Sequence, residues 1–151
     1  ALAKIYHGLQ NEVFLGNLDA KRDWGHAKDY VEGMWKILQY NKPDDFVLAT
    51  GKSISVREFI ILALDELGIE IEFQGSELQE IGVVIANNKS AKVKIGQEII
   101  KISSRYYRPT EVESLLGDAS YAKKELGWEP KHNIDELVHE MVSHDLEYFK
   151  P

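Results

Sequence analysis

One short stretch organises this sequence, and it reads Tyr106-Tyr107-Arg108-Pro109-Thr110-Glu111. Before it lies a β-rich, locally basic segment, and after it come two acidic helical patterns. Pro109 has no N–H group and disfavours a helical conformation at Arg108, which we therefore expect to be extended. Because three extended residues span roughly 10 Å, Arg108 and Glu111 can contact different parts of one ligand. The alternative is a surface arginine that is ion-paired to Glu111 or Glu113.

The composition is typical of one globular domain with an acidic balance. The 151 residues carry a net charge of −7, with 44% hydrophobic and 28% charged residues. This charge argues against a general nucleic-acid binder, which needs a broad basic face. No apolar run approaches the length of a transmembrane helix, so no membrane contact is expected. The absence of cysteine excludes disulfides, zinc–thiolate sites and thiol catalysis, and favours a cytoplasmic location.

Hydrophobic periodicity and turn signals predict alternating helices and strands in one domain spanning 1–151. Helices are expected over 1–9, 26–40 and 56–67. A short helix is expected to be capped by Asp118 and stopped by Gly127, and a last helix is expected from 134 onward with Met141 facing inward. Strands are expected over 12–16, 44–50, 69–73, 81–86, 92–95 and 98–103. The chain begins within a helical pattern and without methionine, which indicates a fragment of a longer protein.

Some of these elements carry specific expectations. Ser55-Val56-Arg57-Glu58 and Asn133-Ile134-Asp135-Glu136 are capping boxes that should begin helices. The continuous apolar run at 44–50 predicts a buried strand of a parallel sheet. Gly96-Gln97 is expected to join 92–95 and 98–103 in a hairpin. The apolar stripe of the 26–40 helix, which includes Met34 and Trp35, is expected to be buried.

Two tempting catalytic motifs fail on spacing. Gly51-Lys52-Ser53 lies between a strand and a helix, but a P-loop requires glycine at the position of Phe46. His139 and His144 are five residues apart, which places them about 140° apart around a helix. Zinc ligands on one helical face need a spacing of four, so these histidines are expected on the surface.

A second basic turn is Lys21-Arg22-Asp23-Trp24, which follows a strand and precedes a helix. The N-terminus of a helix favours anions through its N–H groups and dipole. Together with Arg108, this turn could form a bidentate clamp for a diphosphate. The alternative is a salt-bridged turn in which Arg22 pairs with Asp19 or Asp23 and contributes little.

The longest diagnostic stretch is Leu15-Gly16-Asn17-Leu18-Asp19-Ala20-Lys21-Arg22-Asp23-Trp24-Gly25-His26-Ala27-Lys28-Asp29-Tyr30-Val31. It resembles the GDP-mannose 4,6-dehydratases, which are extended short-chain dehydrogenase/reductases. Further resemblance lies in Ala49-Thr50-Gly51, Ser55–Phe59, Tyr106–Val112 and Ala122–Trp128. The match covers nearly the whole chain and is least distinctive over 69–104.

The resemblance implies an α/β fold: the C-terminal substrate-binding part of such an enzyme, a small mixed sheet with helices and no Rossmann core. NADP would be bound by the N-terminal half, since this chain lacks the glycine-rich fingerprint and the Tyr-x-x-x-Lys pair. The family reaction converts GDP-mannose into GDP-4-dehydro-6-deoxy-mannose on the route to GDP-fucose. The chain alone is expected to be inactive, and the full-length enzyme to be a homo-oligomer.

Site residues are also implied by the resemblance. Arg22 and Arg108 would contact the diphosphate and Glu111 a ribose hydroxyl, while Lys21 and Val13 would help to frame the nucleotide. Two alternatives stay open at this point. One is the same half of another nucleotide-sugar epimerase or reductase, and the other is a non-catalytic binding or assembly module.

Overall fold

The structure, a computed structural model, describes residues 1–108, 112 and 114–151. Within these residues the chain forms five α-helices, six strands and one short 3-10 helix. In chain order the elements are α1 (Leu2–Tyr6), β1 (Val13–Leu15), β2 (Lys21–Asp23), α2 (Ala27–Leu38), β3 (Ser53–Ser55), α3 (Val56–Glu66), β4 (Ile69–Gln74), the 3-10 helix (Glu77–Gln79), β5 (Ile81–Asn87), β6 (Glu98–Ile102), α4 (Ser120–Leu126) and α5 (Ile134–Tyr148). None of the described helices is long and apolar enough to cross a membrane.

Four strands form a mixed sheet in the order β1-β6-β5-β4. β1 runs parallel to β6, whereas β6 with β5 and β5 with β4 are antiparallel. β2 and β3 form a separate antiparallel ribbon of two strands. The predicted class, an α/β fold with a small mixed sheet and helices, is confirmed.

The hydrophobic core lies between this sheet and the helices α1, α3 and α5. α3 packs against both α5 and β4, and α1 packs against α5. Full burial of one leucine or isoleucine side chain contributes about 1.5–3 kcal/mol, so this cluster supplies much of the driving force for folding. Its buried members are Ile5, Leu18, Ile60, Leu64, Leu67, Ile69, Val84, Ala91, Val93, Ile99 and Ile100.

Both predicted capping boxes are confirmed. The Ser55 hydroxyl accepts the N–H of Glu58 at 3.1 Å, and the Glu58 carboxylate accepts the N–H of Ser55 at 2.6 Å. Asn133 and Glu136 make the same reciprocal pair, each at 2.9 Å. Each pair satisfies two N–H groups that a helix start leaves without partners, which fixes where α3 and α5 begin.

The last two helices differ from prediction in detail. Asp118 accepts the N–H of Ser120 at 2.9 Å, but the N-cap residue of α4 is Ala119. Gly127 stops α4 in the left-handed conformation at φ +59°, as expected. Met141 of α5 was expected to face inward but is 51% exposed, because it lies at the open rim of an apolar cavity.

The buried strand predicted over 44–50 is wrong. No residue of this segment is in a strand, and Val47 is 54% exposed. A central parallel strand needs neighbours on both edges, and the described residues supply none for this segment. Aromatic contacts hold it instead, since Phe46 packs between Tyr40 and Tyr121 at ring-centroid distances of 5.2 and 5.3 Å.

The predicted hairpin of 92–95 with 98–103 is also wrong. Gly96 does occupy a turn, at φ +84°, and Gln97 donates its N–H to the Lys94 carbonyl at 3.0 Å. However, β6 is flanked by β1 on one edge and β5 on the other. With both edges occupied, no position remains for a strand over 92–95.

The apolar stripe of α2 is exposed, contrary to the prediction. Its four side chains lie at helical spacing and are 57–76% exposed. They are Val31, Met34, Trp35 and Leu38. The opposite face packs instead, where Gly33 lies so close to Leu48 and Trp128 that a Cβ atom would meet them at 2.5 and 3.0 Å. The periodicity therefore predicted the helix correctly, but not which face the described residues bury.

Candidate functional site

The short strand β2 carries the basic residues of the predicted turn at 21–24. Its register with β3 places Arg22 opposite Ile54, and Lys21 is exposed while Arg22 and Asp23 are half-buried. Side chains alternate along a strand, so Lys21 and Asp23 share one face and Arg22 lies on the other.

Arg22 connects β2 to the residues that follow the stretch 106–111. Its Nη1 donates to the Val112 carbonyl at 2.9 Å and to the Lys21 carbonyl at 2.7 Å. The same neighbourhood contains a parallel β-bridge between Lys21 and Ser114, and Leu115 donates its N–H to the Lys21 carbonyl at 3.3 Å. Two segments that are about ninety residues apart in sequence are therefore neighbours, as a shared site would require.

Arg108 follows a turn in which Tyr106 and Tyr107 both donate their N–H groups to the Ser103 carbonyl at 3.0 Å. It is exposed, and it makes no hydrogen bond or ion pair with any other residue that the structure describes. The turn rests on Gly16, where a Cβ atom would come within 2.4 Å of the Tyr106 carbonyl oxygen. The end of β1 thus supports the backbone that leads to Arg108.

The remaining parts of the predicted stretch cannot be placed in the same way. Pro109 and Glu111 lie outside the described residues, and so does Glu113. The ribose contact of Glu111 and the extended conformation imposed by Pro109 stay predictions. For Arg108, the alternative pairing with Glu111 or Glu113 likewise stays open.

Val13 lies in β1, and the structure places it on the core side. It packs against the hydrophobic core and lines an apolar cavity of about 290 Å³ that also contacts Trp24, Phe59 and Met141. Its neighbour Phe14 points outward and is 48% exposed. A role for Val13 in framing a nucleotide stays a prediction.

The two carboxylates proposed as alternative partners of Arg22 have other partners. Asp19 accepts from Arg57 Nε and Nη2 at 3.0 and 2.9 Å. Asp23 accepts from the Thr50 N–H and hydroxyl at 2.9 and 2.6 Å, and from the Gly51 N–H at 3.0 Å. Both carboxylates are therefore engaged by residues other than Arg22.

Arg57 is a residue whose role sequence reasoning missed. Besides Asp19, it contacts Glu80 through Nη1 and Nη2 at 2.6 and 3.1 Å, and its guanidinium lies 4.6 Å from the centre of the Phe73 ring. The hydrogen bond with Glu80, opposed by partial burial and helped by Asp19, raises the pKa of Arg57. The capping box placed Arg57 at a helix start, but nothing local in the sequence indicated Glu80.

A second charged cluster joins α2 to α5. The buried Asp29 accepts from the N–H groups of Lys131 and His132 at 3.0 Å and lies 2.8 Å from His132 Nδ1. Burial alone would raise the pKa of Asp29, but these hydrogen bonds outweigh it and hold the pKa below its ordinary value. His26 stacks on the His132 ring at 4.2 Å. Asp29 therefore pairs with a histidine that is 103 residues away in sequence.

The histidines of the zinc-like motif lie on the surface, as predicted. His139 lies 2.9 Å from Glu66, and His144 lies 3.4 Å from Asp145. Their side chains are 66% and 71% exposed. Within the described part of the chain, no group of three or more metal-ligating side chains converges.

Sequence comparison identifies the family to which this chain belongs. The sequence model of the family described as GDP-mannose 4,6 dehydratase matches residues 1–141. GDP-mannose 4,6-dehydratase of Yersinia enterocolitica is 49% identical over 99% of this chain and 41% of its own length. The Vibrio cholerae protein of that name is 52% identical over 97% of this chain and 40% of its own length. The human GDP-mannose 4,6 dehydratase is 46% identical over 99% of this chain and 38% of its own length.

Solved structures share the fold at lower sequence identity. RMD from Pseudomonas aeruginosa, complexed with NADPH, superposes with a TM-score of 0.69 at 19% identity, over 97% of this chain and 40% of its own. dTDP-glucose 4,6-dehydratase from Bacillus anthracis superposes with a TM-score of 0.66 at 16% identity, over 99% of this chain and 39% of its own. The chain spans about two fifths of the length of the curated relatives it matches, in their C-terminal portion. By its sequence, this chain belongs to the GDP-mannose 4,6-dehydratase family.

Proposed function

We propose that this chain, over 1–151, is the nucleotide-sugar-binding region of a longer GDP-mannose 4,6-dehydratase. The observation that carries the proposal is the meeting of Lys21 and Arg22 with the segment that follows Arg108. An acidic protein can bind an anion only where basic groups converge. We infer that Arg108 joins Lys21 and Arg22 in one such group, which is supported by the contacts of Arg22 with Val112 and of Lys21 with Ser114.

In this proposal, Arg22 and Arg108 bind the diphosphate of GDP-mannose. Guanidinium groups suit this task because they donate parallel hydrogen bonds to phosphate oxygens and stay charged. Glu111 accepts from ribose hydroxyls, since a carboxylate beside the diphosphate would be repelled. Lys21 and Val13 complete the frame with weaker contacts.

The reaction we assign to the full-length enzyme is a redox-neutral lyase reaction. A hydride leaves sugar C4, water is eliminated across C5–C6, and the hydride returns to C6 to give GDP-4-dehydro-6-deoxy-mannose. NADP, when bound by the N-terminal part, supplies the site that takes up and returns the hydride. This chain holds the nucleotide so that the sugar is presented to that site, and alone it should not turn over GDP-mannose.

We also propose that the full-length enzyme is a cytoplasmic homo-oligomer. The UDP-glucose 4-epimerase of Bifidobacterium longum shares the fold at only 21% identity, which does not favour the epimerase alternative. The dehydratase assignment rests on relatives at 46–52% identity, so it is the stronger one.

The test is nucleotide affinity in the full-length protein, measured by calorimetry. GDP and GDP-mannose should bind, and Arg22→Ala should weaken both by about tenfold or more, because a hydrogen bond to a charged group contributes about 1.5–3 kcal/mol. A variant of Arg22 that unfolds more easily but binds GDP normally would show a purely structural residue.

The ribose assignment can be tested with the same assay. Glu111→Ala should weaken GDP but hardly affect a 2′,3′-dideoxy analogue, whereas Glu111→Gln should cost less because its amide oxygen still accepts. Equal losses for both ligands would refute the ribose contact.

A further inference from the structure

Asp23 is the neighbour of Arg22 in β2, and its carboxylate has hydrogen-bond partners outside this strand. Both of its carboxylate oxygens are used by a turn on another part of the chain. Oδ1 accepts from the Thr50 N–H at 2.9 Å and from the Thr50 hydroxyl at 2.6 Å, and Oδ2 accepts from the Gly51 N–H at 3.0 Å. The carboxylate therefore ties the end of β2 to the turn that precedes β3.

β2 needs such a tie, because it has three residues and one partner strand. A two-stranded ribbon is marginally stable without further support. At the other end of β2, the Ala20 carbonyl accepts the N–H of Val56 at 3.1 Å and the Leu18 carbonyl accepts the N–H of Arg57 at 2.9 Å. At the Asp23 end, the next residue, Trp24, donates from Nε1 to the Ile54 carbonyl at 3.2 Å and stacks on Phe59, and the Asp23 carboxylate adds three hydrogen bonds to a different segment.

We propose that Asp23 is a positioning residue for nucleotide binding, which fixes the strand from which Arg22 reaches the ligand. This inference rests on the proposed function of Arg22. The alternation along β2 places Asp23 and Arg22 on opposite faces, so Asp23 acts on Arg22 through the backbone of the strand. Gly51, whose N–H donates to Asp23, adopts φ +73°, a conformation that other residues rarely adopt.

The competing interpretation is that Asp23 merely stabilises the turn. Both interpretations predict some loss of stability on substitution, so stability alone does not decide between them. A positioning role predicts in addition that the effect of Asp23 on affinity passes through Arg22. The two interpretations therefore separate in a double-mutant cycle measured on binding.

The experiment measures GDP affinity and unfolding midpoint in the full-length protein for Asp23→Asn, Arg22→Ala and the double variant. Asparagine keeps one acceptor but turns an NH2 group toward a backbone N–H, so the clamp loses at least one hydrogen bond. We expect Asp23→Asn to weaken GDP by about tenfold and to raise KM for GDP-mannose without changing kcat. The double variant should bind no more weakly than Arg22→Ala alone. The exposed Asp65 of α3 supplies the matched control, and Asp65→Asn should change neither affinity nor KM.

Milder variants keep the test decisive if Asp23→Asn fails to fold. Thr50→Val removes only the hydroxyl donor and should weaken GDP by about threefold, and Thr50→Ser, which keeps that hydroxyl, should bind GDP normally. Additive losses in the double variant, or normal affinity in Asp23→Asn and Thr50→Val, would overturn the positioning role alone. Normal GDP affinity in Arg22→Ala would overturn the proposed function and the positioning role together.

Discussion

Arg57 and Arg108 carry the same side chain in opposite settings. Arg57 is held by two carboxylates and packs against an aromatic ring, with 24% of its side chain exposed. Arg108 lies on an exposed turn and contacts no carboxylate among the described residues. The Arg57 guanidinium stabilises the fold, whereas the Arg108 guanidinium is exposed where a ligand could bind it.

The difference teaches how to separate structural from functional arginines in this chain. Arg57 lies beside the core and links the turn before β2 to the chain that enters β5, through Asp19 and Glu80. Removing it should therefore affect folding. Arg108 makes no hydrogen bond or ion pair within 1–108, 112 and 114–151, so we expect its removal to affect mainly what binds there. The predictions below sharpen or break this contrast, in order of decreasing effect on stability.

The largest effect is expected for Arg57→Ala. It leaves Glu80, whose side chain is 12% exposed, without its cation in a partly desolvated position. Removing one partner of such a pair costs about 3 kcal/mol of unfolding free energy, which denaturant titration measures. Arg105→Ala is the control, because Arg105 is exposed and its guanidinium lies 5.8 Å from the centre of the Tyr106 ring without an ion pair among the described residues. Equal stability of Arg57→Ala and Arg105→Ala would break the comparison.

A smaller effect, dependent on pH, is expected for Asp29. Its hydrogen bonds lower its pKa in the folded state, so it contributes stability above the pKa of the unfolded chain, about 3.9. That contribution is lost as the pH falls through the lowered pKa of the folded state. Asp29→Asn should cost about 2 kcal/mol at neutral pH and flatten the loss of stability below about pH 4. If Asp29→Asn loses unfolding free energy below about pH 4 as steeply as the unaltered protein does, the assignment of a charged Asp29 is contradicted.

The elements that sequence predicted best are those fixed by neighbouring residues. The capping boxes at Ser55 and Asn133 and the glycine stop at Gly127 each need only a few consecutive residues. The shared diphosphate site of Arg22 and Arg108 stays a prediction, although Arg22 does hydrogen-bond to the Val112 carbonyl, four residues after Arg108.

The elements that sequence missed depend on distant partners. The apolar run at 44–50 has the composition of a buried strand but no strand beside it, and the segment 92–95 finds both edges of β6 occupied. Asp29 pairs with His132, which is 103 residues away. α2 and α3 show the same limit, because both carry apolar stripes, yet that of α3 is buried at Ile60 and Leu64 while that of α2 is exposed. Periodicity defines an apolar face but does not say what covers it.

The measurement that tests the central claim most directly is GDP affinity and unfolding free energy, determined together, for Arg108→Ala and Arg105→Ala in the full-length protein. The two arginines lie three residues apart, and both are exposed. The account predicts that Arg108→Ala weakens GDP binding by about tenfold to a hundredfold. The loss should be smaller at high salt, because screening reduces the attraction between Arg108 and the diphosphate. It also predicts unchanged stability for Arg108→Ala and unchanged affinity for Arg105→Ala. Equal affinities of the two variants, or a stability loss in Arg108→Ala that accounts for its weaker binding, would contradict it.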